Sequence, residues 1–384
     1  MHSLVGEDKP GAANSTIPPL STDLRLPAAF ALALVVTLLA VPAAISVARR
    51  WGLLDHPQGW KCHARPTPYL GGAAVLCGFT TAVLVFAEGF GGLAWLLVCC
   101  AGLCVLGTVD DRRGLTASVR LFVTAAAAVV LWEVGLGWSV FSSGTANLLL
   151  TVVWVLSVVN AINLLDLLDG AAASAVAACA AACVAVAGVF SDAMIAVLAL
   201  ALCGSCLGFL RHNLRSPAAI FLGDGGTIPL GLLTAVLIET LSWGRTNGLA
   251  AISGAILLCG LPLFDMTFRI YSRLRRGDTL LTAGPDSIAN WLRARMPSAR
   301  WVALALGLTQ ATLGSIAVLA AALGSEALLM AGLCALVLGG SLMLLLDASG
   351  FGRHLVIDRP PTGRRARATA ARSASLMDAS SDSG

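Results

Sequence analysis

The amino-acid sequence predicts an all-α, polytopic integral membrane protein of about eleven transmembrane helices, with its N-terminus outside and its C-terminus in the cytoplasm. Three observations predict it. Of 384 residues, 57% are hydrophobic and only 12% charged, far too apolar a balance for a soluble chain of several domains. Windows of about 20 residues with few charges recur through most of the length, which is what a helix needs to cross a bilayer. The basic residues alternate from loop to loop: 22 of the 25 lysines and arginines fall on one set of loops, and the other set holds only Lys9, Arg25 and Arg245. Cytoplasmic loops carry the excess of positive charge, so the richer set faces inward. With a formal net charge of only +4, the basic residues speak for topology, and no nucleic-acid partner is expected.

Taken in order, residues 1–26 are polar and expected to be disordered. The apolar run from Leu26 to Ala48 is followed by Arg49 and Arg50, whereas a cleaved signal peptide has a shorter core and its charges in front. It reads as the first span. Further windows fall near residues 69–87, 91–108, 116–135, 147–166, 170–190, 192–210, 225–243, 247–267, 301–324 and 326–347. Residues 27–347 then form one membrane-embedded domain, and 348–384 a disordered, basic and Ser-rich cytoplasmic tail. Most of the eleven cysteines lie inside the windows, where they pack as small apolar residues. Cys203 and Cys206 form a C-x-x-C, but in an apolar run that lacks the context of a redox motif.

The ionisable residues gather at the cytoplasmic face. The clearest case is VVNAINLLDLLDGAAA, residues 158–173, where Asn160, Asn163, Asp166 and Asp169 interrupt an apolar run. An aspartate at mid-bilayer costs about 2.5–3.5 kcal/mol on the insertion scale, so such residues face a cavity and mark function. Spacing of three places each pair on one face of a helix that can end at Gly170. A polar seam between packed helices is the competing reading.

Four further groups stand out. Asp110 and Asp111, followed by Arg112 and Arg113, suit a hard cation with an anionic substrate, or else a charge-compensated helix end. Asp224, between glycines in FLGDGG, sits where a helix begins, and could bind at a phosphate site or cap the helix. Lys61, one of only two lysines, and His63 precede PTPYLGG, and either hold a phosphate or simply mark the inner face. Arg269, Arg273 and Arg276 share a helical face, suited to anionic lipid or to fixing topology.

Together the loops resemble the polyprenyl-phosphate N-acetylhexosamine-1-phosphate transferase family, membrane enzymes that start bacterial cell-envelope polymers. The likeness runs from about Asp55 to Asp286. DHPQGWKCHARPTPYLGG is similar to D-x-P-x-x-R-K-x-H-x-x-P-T-P-R-x-G-G, VDD to the paired aspartates, NAINLLDLLDG to N-x-x-N-x-x-D-G-x-D-G, and NLRSPAAIFLGDGG to N-x-x-x-P-A-x-I-F-x-G-D-x-G-S. It is closer to the teichoic acid and enterobacterial common antigen branch than to the muramoyl-pentapeptide branch. The resemblance implies a bacterial plasma-membrane enzyme that transfers a sugar-1-phosphate from a UDP-N-acetylhexosamine to polyprenyl phosphate and leaves UMP. It implies Mg²⁺, with Mn²⁺ as an alternative, on Asp224 and Asp110, and a catalytic set of Asp110, Asp111 and Asp224. It places Asn163, Asp166 and Asp169 against the nucleotide sugar, Asn213 against the nucleotide or its phosphates, and Lys61 and His63 on a phosphate. A homodimer is compatible with it.

The chain departs from the pattern at Trp60, Tyr69, Leu167 and Gly226, and GPDSIANWLRARM stands where the family has H-I-H-H. The missing histidines remove part of the donor site, whereas the aspartates of the metal and lipid site are kept. The expected activity is therefore the transferase, and the alternative is a catalytically silent relative that binds lipid phosphate as a scaffold or regulator.

Overall fold

The computed structural model describes residues 22–56, 65–87, 89–243, 246–277, 279 and 286–348. These residues form thirteen helices and one two-stranded ribbon. The helices are α1 (Thr22–Trp51), α2 (Gly71–Phe86), α3 (Leu93–Arg113), α4 (Ala117–Glu133), α5 (Gly144–Leu165), α6 (Ala171–Val189) and α7 (Ala193–Asn213). There follow α8 (Asp224–Glu239), α9 (Gly248–Leu258), α10 (Gly260–Arg276), α11 (Ile288–Arg293), α12 (Ala299–Leu323) and α13 (Ser325–Ala348). Every one of the eleven apolar windows is helical. Among the described residues, seven helices are long and apolar enough to cross a membrane, or eight if the bent pair α9 and α10 counts as one. Helices α2, α4 and α8, with 16, 17 and 16 residues, are shorter.

Local chemistry sets several boundaries. Ser143, Asp192 and Asn247 each accept a hydrogen bond from the backbone three residues on, which caps α5, α7 and α9. Gly114 and Gly277 end α3 and α10 in the left-handed conformation. The window at 247–267 is not a straight span, because α9 and α10 meet at 83°. Gly260 and Pro262 lie at that break, where a proline deprives the helix of a backbone donor. The ribbon is a small addition to the expected all-α fold: β1 (Leu54–Asp55) pairs antiparallel with β2 (Thr67–Pro68).

The bundle is built around α8, which is buried from Gly225 to Glu239. Helices α3, α5 and α2 pack on it, and α1, α7, α6 and α12 continue outward in neighbouring contact. In the absence of a hydrophobic drive between helices in lipid, small residues that admit close contact hold such bundles together. At Gly231 a side chain would come 2.6 Å from the Val159 backbone of α5, so only glycine fits there. At the periphery α13 exposes Leu338 and Leu345, as a lipid-facing helix does.

Candidate active site

Three helix ends and one loop meet at the N-terminus of α8. The loop is fixed first. Phe221 donates its N–H to Pro68 O at 2.8 Å, and Gly71 and Gly72 donate to Phe221 O and Leu222 O at 3.0 and 3.2 Å. The segment after β2 thus runs alongside the segment that leads into Asp224. Asn213, buried at the end of α7, donates from Nδ2 to Ile220 O at 2.8 Å and braces the same segment from behind. Gly226 packs so closely on Gly72 that a Cβ would fall 2.8 Å from the Gly72 Cα and 2.5 Å from Leu222 Cδ2. A side chain in that place has no room, and counted along the pattern from Asn213 it is Gly226 that meets the family's glycine and Thr227 its serine, so Gly226 is not a departure after all.

The last turn of α3 supplies Asp110 and Asp111. Asp111 accepts from the backbone N–H groups of Asp224 and Gly225 at 3.1 and 3.2 Å, and so caps α8. Asp110 is buried. It accepts from Leu115 N at 2.5 Å and from Arg120 Nη1 at 2.6 Å. The same Arg120 nitrogen lies 3.0 Å from Asp224 Oδ2, while Asn163 Nδ2 donates to Asp224 Oδ1 and to Thr227 Oγ1, each at 2.8 Å. Asp110 and Asp224 therefore converge on a single cation, and Asn163 closes the other side of Asp224.

The Asp166–Asp169 stretch differs from expectation. Helix α5 ends at Leu165, five residues before Gly170, so the two aspartates lie in a turn and not on a helical face. Gly170, with φ of 81°, starts the next helix instead of ending this one. Leu167 fits the turn without a left-handed backbone. Asp166 keeps part of its surface accessible, yet burial pushes its carboxyl up to about 8, with Asp224, Asp169 and Asp111 adding repulsion. Five carboxylates thus share one corner of the protein.

Arg120, one of the basic residues of the inward-facing loops, joins the site without having been among the expected site residues. Its sequence signal is position alone: it follows the short turn after Asp110 and Asp111, in the first turns of the returning helix α4. Beside it opens a narrow cleft lined by the polar Arg120, Thr124, Asn160 and Asn163 and the apolar Leu121, Val159 and Ile228. Lys61 and His63 lie outside the described residues, as does Trp60.

The arginine face of α10 is present, but it turns inward. Arg269 and Arg273 are buried and Arg276 is half-buried. Arg269 pairs with Asp265 at 2.6 Å, Arg273 forks onto Asp286 with two bonds of 2.8 Å, and Arg276 reaches Asp286 at 2.9 Å. Burial alone would raise the Asp286 carboxyl, but the hydrogen bonds and charge of Arg273, with Arg276, hold it at about 2. These arginines tie the segment before α11 to α10, so lipid headgroups do not explain them.

Residues 93–242 match the glycosyl transferase family 4 profile. A probable undecaprenyl-phosphate N-acetylglucosaminyl 1-phosphate transferase of Bacillus subtilis is 30% identical over 263 residues, covering 65% of this chain and 72% of the relative. The chain belongs to glycosyl transferase family 4. A decaprenyl-phosphate N-acetylglucosaminephosphotransferase of Mycobacterium leprae is 31% identical, over 67% of this chain and 73% of its own. An undecaprenyl-phosphate alpha-N-acetylglucosaminyl 1-phosphate transferase of Escherichia coli is 27% identical, over 71% and 78%. The family match takes in all five carboxylates, Arg120, Asn163 and Asn213, and ends before α10 and α11. In this family 4 transferase, the donor set suits a hard ion: two convergent carboxylates, with water and substrate oxygens to complete the shell. Among the described residues, no three acidic, His or Cys groups form a closed cage.

Proposed function

We propose that this family 4 glycosyl transferase moves N-acetylhexosamine-1-phosphate from a UDP-sugar to polyprenyl phosphate at the cytoplasmic face of a bacterial plasma membrane, the opening step of a cell-envelope glycopolymer. The observation that carries it is the junction of Arg120, Asp110, Asp224 and Asn163 at the buried N-terminus of α8. Beside that junction the cleft is lined by both polar and apolar side chains, which suits a phosphate on a hydrocarbon chain. The named relatives act on polyprenyl phosphates, which supports the same acceptor class here. A silent scaffold would have no use for keeping all five carboxylates in one corner.

In the reaction an oxygen of the lipid phosphate bonds to the β-phosphorus of the UDP-sugar, the bond from that phosphorus to the bridging oxygen breaks, and UMP departs with the electron pair. The nucleophile is ionised at neutral pH, so no side chain has to remove a proton from it. Arg120 is placed to hold the lipid phosphate against the acids. Asn163 orients Asp224, and Asp111 holds the start of α8 in place. Asp166 and Asp169 are assigned to the donor's sugar and ribose hydroxyls, and Lys61 and His63 to a phosphate. Mg²⁺ would be held by Asp224 and Asp110 and would neutralise the charge that accumulates between the phosphates.

The test is UMP release by the purified protein in detergent, with Mg²⁺, undecaprenyl phosphate and UDP-N-acetylglucosamine or related donors. Release that stops with EDTA and in Asp224→Asn is expected. No UMP above a boiled control, with any donor, would overturn the proposal.

A further inference from the structure

Asp265 and Arg269 are the most deeply buried ion pair of the described residues, with 0% and 3% of their side-chain surfaces accessible, and the chemistry above uses neither. Burying two charges is poor economy for stability alone, since an apolar pair of similar volume packs as well or better. The outward contacts of the pair explain the placement. Arg269 Nη2 donates to Leu164 O at 2.8 Å, and Asp265 Oδ1 accepts from Ile288 N at 2.8 Å. Leu164 O is among the last carbonyls of α5, and Ile288 N among the first amides of α11, groups for which a helix has no internal partner. Neighbouring carbonyls of α5 are satisfied within the turn, Asn163 O by Asp166 N and Leu165 O by Leu167 N. Leu164 O is served from α10. A cation at a helix C-terminus and an anion at an N-terminus also match the two dipoles.

We infer that Asp265 and Arg269 are positioning residues that set the Asp166–Asp169 turn against Asp224 and lock it to α11. The chain of bonds runs from Ile288 N through Asp265 and Arg269 to Leu164 O, two residues before Asp166. Where α5 stops decides where the turn begins, so a shift at Leu164 moves both aspartates. The inference rests on the proposed function in assigning those aspartates to the donor. Its expected signature is a change in donor binding without a change in acceptor binding.

The test uses the full chain in detergent with two variants. The double variant Asp265→Leu, Arg269→Met removes both charges at similar volume, which keeps the fold measurable. Its melting temperature is expected to fall, since Leu164 O and Ile288 N lose their partners, while the protein remains folded. Its KM for the UDP-sugar should rise about tenfold or more, while the KM for polyprenyl phosphate stays within about twofold. Hydrogen–deuterium exchange over residues 164–170 should rise. Arg269→Lys, which keeps the charge and one donor, should recover most of the donor KM. A folded double variant with unchanged donor KM and unchanged exchange overturns the inference. A parent protein that releases no UMP would sink the proposed function instead, and the exchange over 164–170 would then still decide the positioning role.

Discussion

One nitrogen of Arg120 lies 2.6 Å from Asp110 and 3.0 Å from Asp224, and both carboxylates are ones that a metal ion would use. On the proposed Mg²⁺ chemistry the guanidinium and the ion compete for the same oxygens. Replacing Arg120 by methionine leaves two neighbouring acids without their cation, and each then favours a positive partner more strongly. Arg120→Met should bind Mn²⁺ more tightly than the parent, measured by electron paramagnetic resonance of the free ion. At the same time its KM for polyprenyl phosphate should rise by about tenfold, the worth of one charge-assisted hydrogen bond. Weaker Mn²⁺ binding in this variant would contradict the competition. None of this was legible in the sequence, where Arg120 is one arginine among many. Its role arises from the return of α4 alongside α3, which pattern alone does not specify. The acids were legible because a carboxylate in an apolar run is costly and calls for a reason.

The elements show a similar division. Hydropathy located every helical window, since lipid requires long apolar runs. It missed the 83° break inside one of them, although Gly260 and Pro262 lay in the middle of the run. It also extended α5 too far: nothing local in Leu-Asp-Leu-Leu-Asp forbids another helical turn, and the helix ends at Leu165 where Arg269 of α10 takes up the Leu164 carbonyl. The periodicity of Arg269, Arg273 and Arg276 gave the face correctly and the partner wrongly, because Asp265 and Asp286 bring the opposite charges. Two predictions belong here. Gly226→Ser forces a side chain onto Gly72 and Leu222, and overpacking of this kind costs about 1–3 kcal/mol, to be read as a lower melting temperature in detergent. Asp286, held at about 2 against a usual 3.8, has a folded value below its unfolded one. Its contribution is complete above 3.8 and fades as pH falls through about 2. Thermal stability should therefore show no Asp286-dependent slope at neutral pH. A fall below about pH 4 should be shallower in Asp286→Asn, and an equally steep fall in both proteins would remove Asp286 as its cause.

For the whole molecule, the charge asymmetry between loops makes a topological prediction that the helix lengths leave open. Helices α2, α4 and α8 are short, yet the site requires α3 and α5 to end, and α8 to begin, at one face. A reporter fused after Gly384 and another inserted at Gly114 should both read as cytoplasmic. A periplasmic signal from either would overturn the orientation.

The bond from Arg120 to both Asp110 and Asp224 also bears on how the protein survives while idle. Carboxylates crowded at the hub of a bundle would push its helices apart if only a dissociable ion held them. Here the counter-charge is part of the chain and cannot be washed away. Chelation should then halt turnover yet leave the melting temperature nearly unchanged. On the proposed Mg²⁺ chemistry, a cell starved of magnesium would keep its stock of folded protein in the membrane, ready to resume when the ion returns.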